Sequence, residues 1–224
     1  MGSPEKFRRI RPLPPIMGGA DIPPGHEDSL FALASIQEMN LDDPAETGAF
    51  VSFLNNVANR EHFTNPPSTI EELRSMFNIA GVHPLVARNI RGDIVGGAAI
   101  FDAPRTEHDH VLRFIVIDPR MQNRGLGRQM LTQVIDWAFR EPASDGRMRM
   151  KLDVNVIEGV SGWERMTNLL ESLHFTHMMR LPQEVDVFSV ELGVMVTRAT
   201  HRWELMRNNW VPGVNSSPTN SPTN

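Results

Sequence analysis

Residues 111–130 read VLRFIVIDPRMQNRGLGRQM, and this stretch decides how the rest of the chain is read. VLRFIVID is an apolar, β-branched run suited to a buried strand. Asp118-Pro119 ends it, and Gly125 and Gly127 then stand in a short arginine-rich turn. Beyond the turn, Met130, Leu131, Val134, Ile135 and Ala138 recur with helical period, which predicts an amphipathic helix over 127–139 closed by Glu141-Pro142. A strand that passes through a glycine-punctuated turn straight into a helix aims several unpaired N–H groups at one point, where the helix dipole adds partial positive charge. Glycines there let the main chain approach an anion, and Arg120, Arg124 and Arg128 add charge nearby. The same glycines would also serve a tight turn that binds nothing. The spacing is neither G-x-x-x-x-G-K-[ST] nor G-x-G-x-x-G.

Composition limits the partners. A chain of 224 residues with 40% hydrophobic and 22% charged residues has the make-up of an ordinary globular protein. Its formal charge of -5 makes nucleic acid an unlikely partner. With no cysteine, disulfides, thiolate metal sites and cysteine nucleophiles are excluded. The N-terminal MGSPEKFRRIRPLPP lacks an apolar signal core, and no apolar run is long enough to span a bilayer, so no membrane partner and a cytoplasmic location are expected.

Working outward, residues 6–13 suggest a short edge strand, followed by a Pro/Gly-rich connection. LFALASIQEM (30–39) is expected to be helical behind Asp28-Ser29. Asp43-Pro44 opens a second helix, with Phe50, Phe53, Leu54, Val57 and Ala58 as its buried stripe. Ser68 and Glu71 suggest a capping box for a third, with Ile70, Leu73 and Phe77 facing inward. HPLVARNI, IVGGAAIF and VLRFIVID form a three-strand meander whose RGD, 91–93, reads as a hairpin turn. MRMKLDVNV (148–156) is a strand, and Ser161 to Glu164 another capping box. HFTHMMRL and VDVFSVEL suggest a strand pair around Pro182, and VMVTRATHRWELMRNN a terminal helix. Trp203 and Trp210 suit packing within the domain. The tail beyond Pro212 has no apolar residues after Val214 and is expected to be disordered, leaving residues 1–211 as one domain and 212–224 as a tail.

Gln122-Asn123-Arg124-Gly125-Leu126-Gly127 resembles the acyl-CoA signature of the GNAT superfamily of N-acyltransferases, [QR]-x-x-G-x-[GA], and Ile117-Asp118-Pro119 precedes it as in that family. The element order is similar too, from about residue 6 to residue 193, apart from one extra N-terminal helix. The resemblance implies an α/β (α+β) fold with a mixed, mostly antiparallel central sheet flanked by helices and splayed at an acyl-CoA slot. It implies acetyl-CoA as acyl donor, its pyrophosphate on the loop Gln122, Asn123, Arg124, Gly125, Leu126 and Gly127, with Arg128 opening the helix. It implies that the pantetheine arm lies along Ile115, Val116 and Ile117, and that an N–H near Val116 or Ile117 polarises the acyl carbonyl. The acceptor would be a small-molecule or protein amine.

This chain departs from the family pattern at two places. Leu170 stands where the family has a tyrosine acid, and Trp163 where it has an asparagine. For a base, the residues offer Asp153 and Asn155 on the strand across the slot, and Glu107, His108, Asp109 and His110 leading into the signature strand, with Asp153 the candidate. His108 and His110 in EHDH spell a metal pair without a third ligand, so no metal is expected. The alternative is a non-catalytic GNAT-fold module with weak or no CoA binding, meeting a protein partner through its N-terminal helices or C-terminal tail.

Overall fold

A computed structural model of the protein describes residues 33–56, 67–102, 110–122, 125–160, 162–189 and 194–212. The expected strand at 6–13, the N-terminal connection, the tail, and Val57, Ala58, Glu107 to Asp109, Asn123, Arg124 and Ser161 lie outside these residues.

The described elements are β1 (Leu33–Glu38), α1 (Pro44–Leu54), α2 (Ile70–Phe77), β2 (Val82–Asn89), β3 (Ile94–Asp102), β4 (His110–Ile117), α3 (Leu126–Arg140), β5 (Lys151–Ile157), α4 (Trp163–Ser172), β6 (Thr176–Ser189) and β7 (Val194–Met206). They build a seven-stranded sheet in the order β1-β2-β3-β4-β5-β7-β6. Every neighbouring pair is antiparallel except β4 and β5, which run parallel. The mixed, mostly antiparallel sheet with flanking helices is the architecture that the resemblance implies.

Helices α1 and α2 start where side chains can satisfy free amides. Asp43 caps α1 by accepting from the Ala45 N–H, with Pro44 in the first turn. The α2 cap stands one residue beyond the expected Ser68: Thr69 accepts from the Glu72 N–H at 3.1 Å, and Glu72 accepts from both the N–H and the hydroxyl of Ser68 at 2.7 Å. The α4 cap is Gly162, one residue beyond Ser161 and in the left-handed conformation.

Two cores lie on opposite faces of the sheet. On one, α3 and α4 bury Met130, Leu131, Ile135 and Leu170 against Leu112, Leu152, Val154 and Leu205. On the other, α1 and α2 bury Phe50, Leu54, Leu73 and Phe77 against Val86, Ala99 and Val116. Gly96 and Gly97 on β3 allow both approaches. A Cβ on Gly96 would meet Met130 Sδ at 2.6 Å, and one on Gly97 the Phe50 ring at 2.5 Å. The second core takes its buried sheet residues from β2, β3 and β4 alone. Trp203 and Trp210 are buried, as expected, and Trp210 Nε1 donates to Asp136 at 2.7 Å.

Three expectations are corrected. LASIQE, expected in a helix, is β1, paired antiparallel with β2 and packing Leu33 and Ile36 on the larger core. Pairing covers the backbone groups of β2, whose Leu85, Val86 and Ala87 are buried, and this tertiary demand outweighs a neutral local preference. The supposed extra helix is therefore a strand, the first among the described residues. HFTHMMRL and VDVFSVEL do not pair with each other; they contribute to one strand, β6, at the sheet edge. The register slips between Leu181 and Val185, so Pro182 removes no regular ladder bond. The terminal segment, expected to be helical, is β7. Its Ala199, Trp203 and Leu205 are buried and alternate with Arg198, Arg202 and Glu204, a period of two.

Candidate active site

The parallel pair β4 and β5 is joined only at its start, Val111 opposite Asp153 and Leu112 opposite Val154. From Arg113 onward the two strands part. The β4 edge facing β5 then has no strand partner, and a slot of about 370 Å³ opens between them. A bulge helps to shape it. Phe114 and Ile115 together oppose Ala98 of β3, and Phe114 takes φ 54°, a left-handed conformation that a phenylalanine rarely adopts. The extra residue reverses the alternation of β4: Leu112, Ile115 and Ile117 pack with the larger core, Phe114 and Val116 with the smaller.

At one end the slot reaches the glycine loop. Gln122, Gly125, Gly127 and Arg128 line it, together with Ile115, Val116 and Ile117 from β4. Gly125 occupies the α3 N-cap at φ 77°, so this 15-residue helix begins without a side-chain cap on its first-turn N–H groups. Leu126 is not at the slot surface; it is buried in the larger core as the first helical residue. Arg128 donates to the Ser172 hydroxyl. Arg120 is held back from the loop: its guanidinium lies along Asp118, with Nη2 to Oδ2 at 2.6 Å. Burial pushes the Asp118 carboxyl up, but the hydrogen bonds from Arg120 outweigh it and hold the group below the usual carboxylate range. The far wall is apolar, built from Val154, Val156, Met166 and Leu169, with Trp163 at its edge. Leu170 is fully buried in the core and is not among the residues that line the slot.

A second cavity of about 390 Å³ lies beside the slot, lined by Asp102, Arg113, Asp153, Asn155 and Arg202 among others. Arg113 and Asn155 line both spaces, just beyond the last paired residues of β4 and β5. Asp153 is almost wholly buried. Its Oδ2 accepts from Arg202 at 2.6 Å and lies 3.3 Å from Lys151 Nζ, while its buried Oδ1 has no hydrogen-bond partner among the described residues. Sequence reasoning found Asp153 and Asn155 but missed Arg113 and Arg202. Nothing local in their stretches marks them, because only the β4–β5–β7 register brings them together.

Below the junction lies a buried charge cluster that sequence reasoning also missed. Asp102 accepts from Arg149, His83, His110 and the Ser144 N–H. Burial alone would raise its pKa, yet these four donors hold it far below the carboxylate range. His110 of the EHDH run thus serves this cluster, and among the described residues no group of side chains is arranged to hold a metal ion. Also among the described residues, no helix is long and apolar enough to cross a membrane.

The sequence profile described as the Acetyltransferase (GNAT) family matches residues 51–156. Among solved structures, spermidine N-acetyltransferase from Vibrio cholerae in complex with CoA and spermine is similar at 15% identity with a TM-score of 0.61, covering 78% of this chain and 96% of that one. Spermidine/spermine N-acetyltransferase from Vibrio cholerae in complex with manganese ions is similar at 14% identity with a TM-score of 0.58, covering 79% and 94%. Among curated proteins no match was found. Profile, element order and splayed strands agree: residues 51–156 match the GNAT family, and the fold is GNAT-like.

Proposed function

We propose that the protein transfers an acetyl group from acetyl-CoA to an amine by direct attack within a ternary complex. The observation that carries this reading is the junction where β4 and β5 part: Arg113 and Asn155 line both the slot and the second cavity, so a thioester in the slot can meet an amine in the cavity. The pyrophosphate would rest on the uncapped amides at Gly125 to Arg128, and the pantetheine arm would pair with the open edge of β4 from Arg113 to Ile117. The bulge at Phe114 and Ile115 adjoins the junction. It is therefore a better position than Val116 or Ile117 for an N–H that polarises the thioester carbonyl.

The reaction itself needs little from the protein. The neutral amine attacks the carbonyl carbon, the C–N bond forms and the C–S bond breaks. The amine loses one proton and the departing thiolate gains one. Asp153 is the candidate to draw the ammonium in and to receive its proton, directly or through water. With a thiol pKa of about 8.5, the thiolate can leave without an acid, so the absence of tyrosine from the chain does not prevent turnover.

That absence does favour a second reading, a non-catalytic GNAT-fold module with weak or no CoA binding. Calorimetry with acetyl-CoA and desulfo-CoA, followed by a thiol-release assay across amines, separates the two. Binding with release is expected. Binding without release from any amine, or no binding at millimolar ligand, selects the module and ends the enzyme reading.

A further inference from the structure

We propose that the acceptor carries a carboxylate as well as an amine, an amino-acid-like zwitterion, with Arg113 as the residue that selects for the carboxylate. The proposal rests on the acyl-transfer reading above and follows from the charges that the second cavity leaves available.

Four charged side chains line that cavity, Asp102, Asp153, Arg202 and Arg113. Asp102 has nothing left for a ligand: Arg149 and His110 occupy its Oδ1, and Arg149, His83 and the Ser144 N–H its Oδ2. Asp153 and Arg202 hold each other at 2.6 Å, and Lys151 lies between Asp153 at 3.3 Å and Glu204 at 3.0 Å. One carboxylate oxygen, Asp153 Oδ1, remains to attract an ammonium group. Arg113 is different from Arg202. It is exposed, its guanidinium lies 5.3 Å from the centre of the Phe101 ring, and it has no carboxylate partner among the described residues.

The cavity therefore offers one receptor for a cation and one for an anion. Val111 pairs with Asp153, so Arg113 lies two residues further along the neighbouring strand, on the order of 8 Å from Asp153 backbone to backbone. One small molecule can touch both. A volume of about 390 Å³ is at the small end for a ligand site. An acceptor with several ammonium groups would find a single open carboxylate oxygen beside an uncompensated guanidinium, whereas a zwitterion satisfies both.

The test is thiol release from acetyl-CoA with the common amino acids, each paired with its decarboxylated amine, and with spermidine. It is run on the wild-type protein, Arg113→Met and Arg113→Lys, with acetyl-CoA affinity measured for each by calorimetry. At least one amino acid should exceed its decarboxylated partner in kcat/KM by about 30-fold, the worth of a charge-assisted pair. Arg113→Met should bring that preference, read as a ratio of kcat/KM values at saturating acetyl-CoA, to within a few-fold, and Arg113→Lys should restore part of it. Equal use of both partners, a preference for spermidine, or a preference that survives Arg113→Met overturns the proposal and leaves acyl transfer standing. Release from no amine by a protein that binds acetyl-CoA overturns the proposal together with the enzyme reading, and failure to bind acetyl-CoA removes the reading on which both rest.

Discussion

Arg149 grips Asp102 with both arms of its guanidinium, Nε to Oδ1 at 2.7 Å and Nη2 to Oδ2 at 2.8 Å, and neither side chain reaches solvent. The remaining arm donates to the carbonyls of Ala138 and Glu141, which fastens the end of α3 to the entry of β5. Removing one member of such a pair leaves a buried charge with fewer partners, a change that costs about 3–5 kcal/mol. Arg149→Leu should therefore lose roughly that much in urea unfolding at neutral pH. A loss below about 1 kcal/mol would mean that His83 and His110 compensate Asp102 by themselves.

The same cluster makes stability depend on pH through His83. Its hydrogen bond to Asp102 raises its pKa and burial opposes this. Glu38 at 3.2 Å and the Asp102 charge add to the rise, Arg149 subtracts, and the net direction is upward. A histidine raised above its unfolded value of about 6.5 contributes stability that is fully present below that pH and is lost as pH rises through the folded value. His83→Gln should therefore be most destabilising, relative to wild type, near pH 6 and progressively less so toward pH 9. Thermal melts of both proteins across that range give the difference directly. A gap independent of pH would show that His83 does not change charge there.

The glycine loop separates ligand demand from chain demand. A Cβ on Gly125 would meet nothing within 4 Å, but the φ of 77° strains any L residue; a Cβ on Gly127 meets only Leu169 Cδ2, at 3.8 Å. Gly125→Asp should lower acetyl-CoA affinity by well over tenfold, more than about 1.4 kcal/mol, because a carboxylate would stand in the anion's place. Gly127→Ala removes a helical glycine and should raise stability by about 0.5–1 kcal/mol while affinity stays within a few-fold. Calorimetry and melting curves on the two variants decide this. A folded Gly125→Asp with unchanged affinity would make the loop a turn and nothing more.

What the sequence disclosed about this site follows from how far apart the interacting residues lie. Gly125, Gly127 and the α3 stripe sit within one strand-turn-helix unit, and their spacing alone carries the geometry. β1 and β7 depend on partners elsewhere in the chain, Glu38 pairing with Leu85 and Arg202 with Asn155, so a local preference misread them as helices. The alternation of Ala199, Trp203 and Leu205 with charged residues was a usable signal for β7. Asp102 and Arg149 are 47 residues apart, and Arg113 comes to line one cavity with Asp153 only through a parallel register of two residue pairs. No periodicity records such contacts.

The missing acid gives the last prediction. Leu170 stands where the family has its tyrosine, and it is fully buried in the core and does not line the slot. If the thiolate leaves unassisted or takes its proton from water, no enzyme acid titrates on the alkaline side. Thiol release against pH should then rise through the pKa of the amine or its base and stay flat, instead of forming a bell. Leu170→Tyr should not create an alkaline limb, because the phenol must first displace the packing between α4 and the sheet; a loss of about 1–3 kcal/mol in stability is the expected consequence. A wild-type bell would identify a protonated side chain at work. His174, exposed just beyond α4 at φ 65°, is then the residue to replace. If His174→Gln abolishes the alkaline limb, protonation by water is excluded as the route by which the thiolate leaves.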